Sequence, residues 1–191
     1  MLRLHPKKKP DGRNRRRRGV ELIEFTLVLL PMLGFIFLLL DLGWAVYKRA
    51  TLQYAVREGC RYAVTNQLQP LKDASGNKYG MIDSVKWVVQ KNAMGFLGSK
   101  ATDPGYAVIQ VRFYDPTASL TTALPIPACG SSTAAPNWAL NLVEVSVENY
   151  QEQSLTAPLL RSATPLNFVV RSSDRMEGNP TTGVPSALTC P

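Results

Sequence analysis

The sequence predicts an α+β protein in which a long N-terminal helix, its first half embedded in a membrane, packs on a small antiparallel β-sheet. Three observations predict it. An uncharged apolar run, Phe25 to Leu40 (FTLVLLPMLGFIFLLL), follows an arginine-rich tail. A stripe of apolar residues at three-and-four spacing continues the helix beyond that run. The rest of the chain carries short alternating segments separated by Pro, Gly, Ser and Asn. The boundaries implied are a basic leader over 1–19, a transmembrane and extended helix over 20–68 (span about 22–47), and an α+β domain over 69–191.

The leader explains the charge. The chain of 191 residues has a formal charge of +8 and a pI near 9.6, which first suggests a nucleic-acid or membrane-surface partner. Residues 1–18 hold nine Lys/Arg and one acid, Asp11, whereas the remainder balances 13 against 13. A nucleic-acid binder places its cations on a folded face among stacking aromatics. Here they sit in a tail with no apolar pattern, which is expected to be disordered on its own. Basic residues beside a hydrophobic segment hold that end in the cytoplasm, so the domain after the span is expected outside the cytoplasm, with the chain in the inner membrane.

Leu22 to Tyr47 is 26 residues, roughly 39 Å as a helix at 1.5 Å per residue. That length spans a bilayer core of about 30 Å with some tilt. Trp44 and Tyr47 suit the far interface, and membrane helices tolerate Pro31 and Gly34. A signal peptide removed near Gly43-Trp44-Ala45 and an unprocessed signal anchor are alternatives; neither accounts for Glu21 and Glu24 at the start of the span. An ionised side chain at mid-membrane costs about 2.5–3.5 kcal/mol on the lenient scale. Glu24 lies about 7 Å along the helix from Gly19 and needs a cation. A cut after Gly19 supplies one: Val20 gains an amine, and Val20 and Glu24 are i and i+4, on one face.

This arrangement resembles a class III prepilin signal: a basic leader, Gly19 at the cut, Val20 as first mature residue, Glu24 fifth and Phe25 sixth. Farther on, "LLLDLGWAVYKRATLQYAVREGCRYAV", Leu38 to Val64, resembles the TadE-like family of tight-adherence pilus proteins. Asp41 and Gly43 match its acid and glycine, and Tyr47-Lys48-Arg49 its aromatic–basic step. Ala55 to Ala63, with Arg57, Glu58, Gly59 and Arg61, matches its "REGARYA"-type run. Cys60 stands where the family usually has Ala. The likeness covers about residues 19–65, and "FVVRSSDRMEGNP" is similar to the family's closing strand. The resemblance implies a pilin-like fold and cleavage after Gly19 by a membrane prepilin peptidase. It also implies that Glu24 docks the subunit through a neighbour's N-terminus, and that the chain is a minor pseudopilin or related structural assembly protein. The implied partners are prepilin peptidase, other pseudopilins, the pilus assembly machinery and membrane lipid. The alternative is an unprocessed single-pass protein whose outer domain binds a partner.

Beyond the span, Leu52, Ala55, Val56, Gly59, Cys60, Ala63 and Val64 form one stripe expected to pack on the protein's own sheet. Arg57, Glu58 and Arg61 lie off it as ordinary helix-face charge. The helix is expected to run through Asn66 and stop before Gln69-Pro70. Asp73 to Lys78 reads as a turn. Ile82 to Met94 reads as a second helix, with Asp83 or Ser84 favouring its start. A first strand is expected over Ala107 to Tyr114, and a long loop over Thr117 to Asn137. A second strand over Leu140 to Tyr150 turns Val143, Val145 and Val147 inward. A third over Leu166 to Ser172 has Leu166, Phe168 and Val170 on one face.

Catalytic patterns are not found. The only histidine, His5, sits in the leader, so a triad lacks its base. No zinc spacing, P-loop or dinucleotide glycine pattern occurs. Glu144 and Glu148 stand about 13 Å apart on a strand, wider than the roughly 5–9.5 Å of glycosidase carboxyl pairs, and read as a solvated face. The sequence therefore points to a structural protein with no cofactor, no metal, no small-molecule substrate and no nucleic acid. Three cysteines allow three pairings. Cys129 and Cys190 would staple the C-terminus to the long loop. Cys60 reads as a small buried residue, and an odd cysteine leaves an intermolecular bond open.

Overall fold

A computed structural model describes residues 13–69, 80–118, 120–126, 137–152 and 165–177. The order is α1 (Arg13–Val64), α2 (Met81–Asn92), α3 (Pro104–Ala107), β1 (Ile109–Tyr114), β2 (Leu142–Glu152) and β3 (Leu166–Arg175). The chain divides into two compact units, Met1–Gly43 and Trp44–Pro191. This is the α+β plan expected: a long N-terminal helix and a small antiparallel sheet.

In the first unit, α1 is continuous through Pro31. It begins at Arg13, so the arginines expected to be disordered are helical up to the leader junction. Arginine is a good helix former, and extending an existing helix is far easier than nucleating one.

In the second unit, the stripe on α1 is buried as expected: Leu52, Ala55, Val56, Cys60, Ala63 and Val64 all join the core. The helix ends at Val64, earlier than the sequence suggested. Asn66 takes φ 53°, a left-handed conformation that asparagine tolerates better than most residues, and its N–H donates to the Ala63 carbonyl at 3.0 Å. Its buried side chain is tied to Asn137, whose amide donates to Asn66 Oδ1 at 3.0 Å.

α2 turns Met81, Ile82, Val85 and Val89 inward, with Asp83 in its first turn. Ser84 Oγ donates to the Gly80 carbonyl at 2.8 Å and accepts the Gln69 N–H at 3.1 Å. Ala107 and Val108, expected in the first strand, instead form the end of α3 and its cap. Pro104 at the first helical position pre-sets the φ of a helical turn.

The sheet order is β1-β2-β3, antiparallel throughout. Ile109, Val111 and Phe113 lie opposite Val147, Val145 and Val143; all six are buried and close the core against the helices. The β2–β3 register shifts between Val147, paired with Val170, and Tyr150, paired with Phe168. Glu148 and Asn149 thus oppose Val169 alone. Asn149 takes φ 59° there, the left-handed conformation that one type of β-bulge uses and that asparagine tolerates. Of the third-strand residues expected on one face, Val170 is buried, Phe168 is half-buried and stacked on Tyr150, and Leu166 is exposed. The strand also runs on to Arg175, followed by buried Met176.

Candidate functional site

Gly19, Val20, Glu24 and Phe25 all lie on α1. Each is exposed. Helical geometry sets Val20 and Glu24 one turn apart on one face. Around Gly19 a Cβ would meet nothing within 4 Å, and the same holds at Gly34 and Gly43. Nothing in the packing of the described residues therefore demands glycine at the junction. Asp41 is half-buried and Gly43 exposed. The apolar side chains of Val20 to Leu42 are exposed to a degree that no water-facing surface would carry. Among the described residues, Gly19–Val64 is the one helix long and apolar enough to cross a membrane.

Gly59 is the opposite case. A Cβ there would collide with Val89 Cγ2 and touch Val145 Cγ1 and the Val85 carbonyl at 3.7 Å. Glycine at this place lets α1 approach α2 closely. The "REGCR" run therefore splits by role. Gly59 and Cys60 are buried, while Arg57 and Arg61 are exposed and Glu58 is half-buried.

Arg57 and Arg61 face a groove of about 580 Å³ that Cys60, Thr65, Ser172, Asp174 and Glu177 also line. The sequence identified the arginines as ordinary surface charge and missed the acidic wall. The signal was present in "SSDRME", which carries Asp174 near the end of β3 and Glu177 just beyond it. The backbone joins the two walls, because the Glu177 N–H donates to the Val64 carbonyl at 3.1 Å. Cys60, free and buried, has its thiol pushed up to about 11, chiefly by burial, with Asp174 adding to the effect and a Ser172 hydrogen bond opposing it. A thiol so raised stays protonated and unreactive at neutral pH. Cys129 and Cys190 lie outside the described residues, as does His5.

The outer face of the sheet corrects a second expectation. Glu144 and Glu148 are not freely solvated. The Arg112 guanidinium donates to both Glu148 oxygens, at 2.6 and 2.9 Å, and lies 3.5 Å from Glu144. Arg171 reaches Glu148 at 3.1 Å, and Ser146 Oγ donates to the same carboxylate at 3.3 Å. Three strands supply one network, because Arg112 is in register with Glu144 and Ser146 with Arg171. Hydrogen bonding from Arg112 holds the Glu148 carboxyl below its usual range, with Arg171 assisting. A carboxylate kept ionised in this way is unsuited to act as a general acid. Among the described residues, no three His, Cys, Asp or Glu side chains group to hold a metal.

At the start of the second unit, Trp44, Tyr47 and Phe96 form an aromatic cluster with centroids 5.8 to 6.1 Å apart. The Lys48 ammonium lies 5.0 Å from the Trp44 ring and 5.2 Å from that of Phe96. The sequence named Trp44 and Tyr47 as interface residues; Phe96 joins them only through the fold.

No curated protein and no solved structure matches the chain significantly. Residues 19–61, from the leader junction through the arginine-glycine run, match the model of the family described as TadE-like protein, which is the family those residues resemble.

Proposed function

We propose that the chain is a minor pseudopilin of a tight-adherence pilus or a related secretion assembly, made as a precursor and cut after Gly19 by a prepilin peptidase. The TadE-like match associates it with that pilus. The observation that carries the finer reading is the contrast between glycines. Gly59 is required by packing, whereas Gly19 has open space around it, so packing among the described residues gives no reason for glycine at 19. A peptidase that accepts only a small residue before the cut would supply one.

In this reading the basic leader stays in the cytoplasm, α1 crosses the inner membrane, and the domain after it lies outside. Cleavage gives Val20 a free amine. Glu24, on the same helix face, neutralises that amine in its own subunit or in a neighbouring pseudopilin. The pairing offsets the cost of keeping a carboxylate at membrane depth. Asp41, Gly43, Arg57 and Arg61 then serve contacts with other subunits and the assembly machinery, and a Cys129–Cys190 bond staples the C-terminus outside the cytoplasm. No nucleic acid, metal or small-molecule substrate enters this role.

The test begins with the N-terminus of membrane-extracted protein. Val20 is expected; Met1 or Leu2 would establish the unprocessed alternative. Gly19→Ile should retain the leader. Glu24→Leu should insert and be cut, since it removes a membrane charge, yet fail to co-purify with the pilus machinery. Assembly of Glu24→Leu at the wild-type level would overturn the charge-pairing account.

A further inference from the structure

After α2 the chain reverses tightly. Met94 takes φ 50° and Gly95 φ 85°. A left-handed conformation is uncommon for any residue with a side chain and is favoured by Asn and Asp; here it is a methionine, held 70 % exposed. Its sulfur accepts a hydrogen bond from the Tyr47 hydroxyl at 3.2 Å. Two residues on, Phe96 sets its ring edge-on to both Trp44 and Tyr47. Lys48, with its ammonium beside Trp44 and Phe96, is almost fully buried at 7 %.

An apolar tip beside two amphipathic rings and a cation has the composition of a membrane–water interface. Tryptophan and tyrosine sit at headgroup level, and here the Lys48 ammonium is held against the Trp44 and Phe96 rings. The position agrees. Trp44 to Tyr47 is the last turn of the apolar stretch, and the Tyr47–Met94 hydrogen bond sets the reversal beside that turn.

We infer that Trp44, Tyr47 and the reversal Met94 to Phe96 form a membrane-interface anchor. It seats in the headgroup region of the phospholipid leaflet from which α1 emerges, with Met94 entering the upper acyl layer. The inference rests on the reading of α1 as a membrane span. It gives the domain a second point of attachment and fixes how deep the helix sits.

The test uses the full chain in vesicles of phosphatidylcholine and phosphatidylglycerol. In one variant Trp44 becomes Tyr, which keeps an interfacial ring, Trp87 and Trp138 become Phe, and Met94→Trp supplies the only indole. In a second, Trp138 alone is kept. Trp138 neighbours Asn137, which is bonded to Asn66 beyond the end of α1, and Val64 lies roughly 26 Å along the helix from Tyr47. Lipids brominated high on the acyl chain should quench the Met94→Trp probe about twofold or more, as insertion by roughly 5–10 Å requires, and leave Trp138 unchanged. If the chain stays with vesicles after a carbonate wash and the Met94→Trp probe is unquenched, the anchor is wrong while the span stands. Quenching of both probes would mean that the domain lies flat, and would also overturn it. A chain stripped by carbonate would overturn the span, and the anchor with it. The unaltered chain supplies a second reading: an aqueous oxidant should convert Met94 to the sulfoxide at least about tenfold more slowly than free methionine. Oxidation at the free rate would reject the anchor.

Discussion

The two halves of α1 are one helix with two distributions of apolar side chains. From Val20 to Leu42 large apolar side chains stand exposed all round. From Leu52 to Val64 the apolar residues keep to one stripe, and that stripe is buried. Glycine follows the same division, with open space at 19, 34 and 43 and crowding at 59. Content separates the halves, since Phe25 to Leu40 carries no charge while Arg57, Glu58 and Arg61 interrupt the second. Periodicity separates them as well, because a helix surrounded by lipid has no polar side, whereas a helix laid on a sheet must have one.

The largest expected effect is at Leu52, which is fully buried. Leu52→Ala removes its side-chain contacts and leaves a cavity, at a cost of about 2–5 kcal/mol. Leu39→Ala, in the exposed half, should leave the stability of the Trp44–Pro191 unit within about 0.5 kcal/mol of wild type. Melts of the full chain in detergent, followed by near-ultraviolet circular dichroism, measure both. Equal losses would mean that the two halves are not in different environments.

The glycine contrast sharpens this. Gly59→Ala adds one methyl against Val89 and should cost about 1–3 kcal/mol through overpacking. Gly43→Ala meets open space and exchanges glycine for the best helix former, so the same melts should show no loss. A variant that trims Val89 to Ala should relieve Gly59→Ala in part. Full additivity of the two changes would show that the Cβ does not meet Val89.

These contrasts also show what was legible in the sequence. The stripe on α1, the inward valines of β2 and the α+β plan were readable because side-chain period reports burial directly. Ala107 and Val108 were misplaced because they alternate correctly with Ile109 to Tyr114, and only Pro104, just upstream, signalled a helical start. Asn66 ended α1 before Pro70 through a conformation that hydropathy does not encode. The groove beside Arg57 and Arg61 was hidden because its acidic wall comes from β3 and the residues just after it, more than 100 residues away in the chain. The Arg112 network was hidden for the same reason. Each strand shows one charged residue or two on its outer face, and solvation is the default reading until the register brings them together.

That network supplies the smallest effect, and it completes the contrast between burial and charge within the second unit. Glu148 has its carboxyl held below its ordinary value of 4.5, first by hydrogen bonds from Arg112. A depressed carboxylate contributes stability that is present above its unfolded value and is lost as pH falls through its folded one. Wild-type protein should therefore lose this contribution below about pH 4.5. Glu148→Gln should be less stable at neutral pH by about 1 kcal/mol or less, since the pairs are partly solvated. It should approach wild type as pH drops below the Glu148 titration. Asp103 and Asp115, whose carboxyls are also depressed, keep part of the acid slope in both proteins, so the difference between the two curves is the quantity to read. Salt should shrink that difference further, while leaving the Leu52→Ala loss intact. A Glu148→Gln loss as large as that of Leu52→Ala would reverse the ranking and make the polar face of the sheet, not the buried stripe of α1, the main support of the domain.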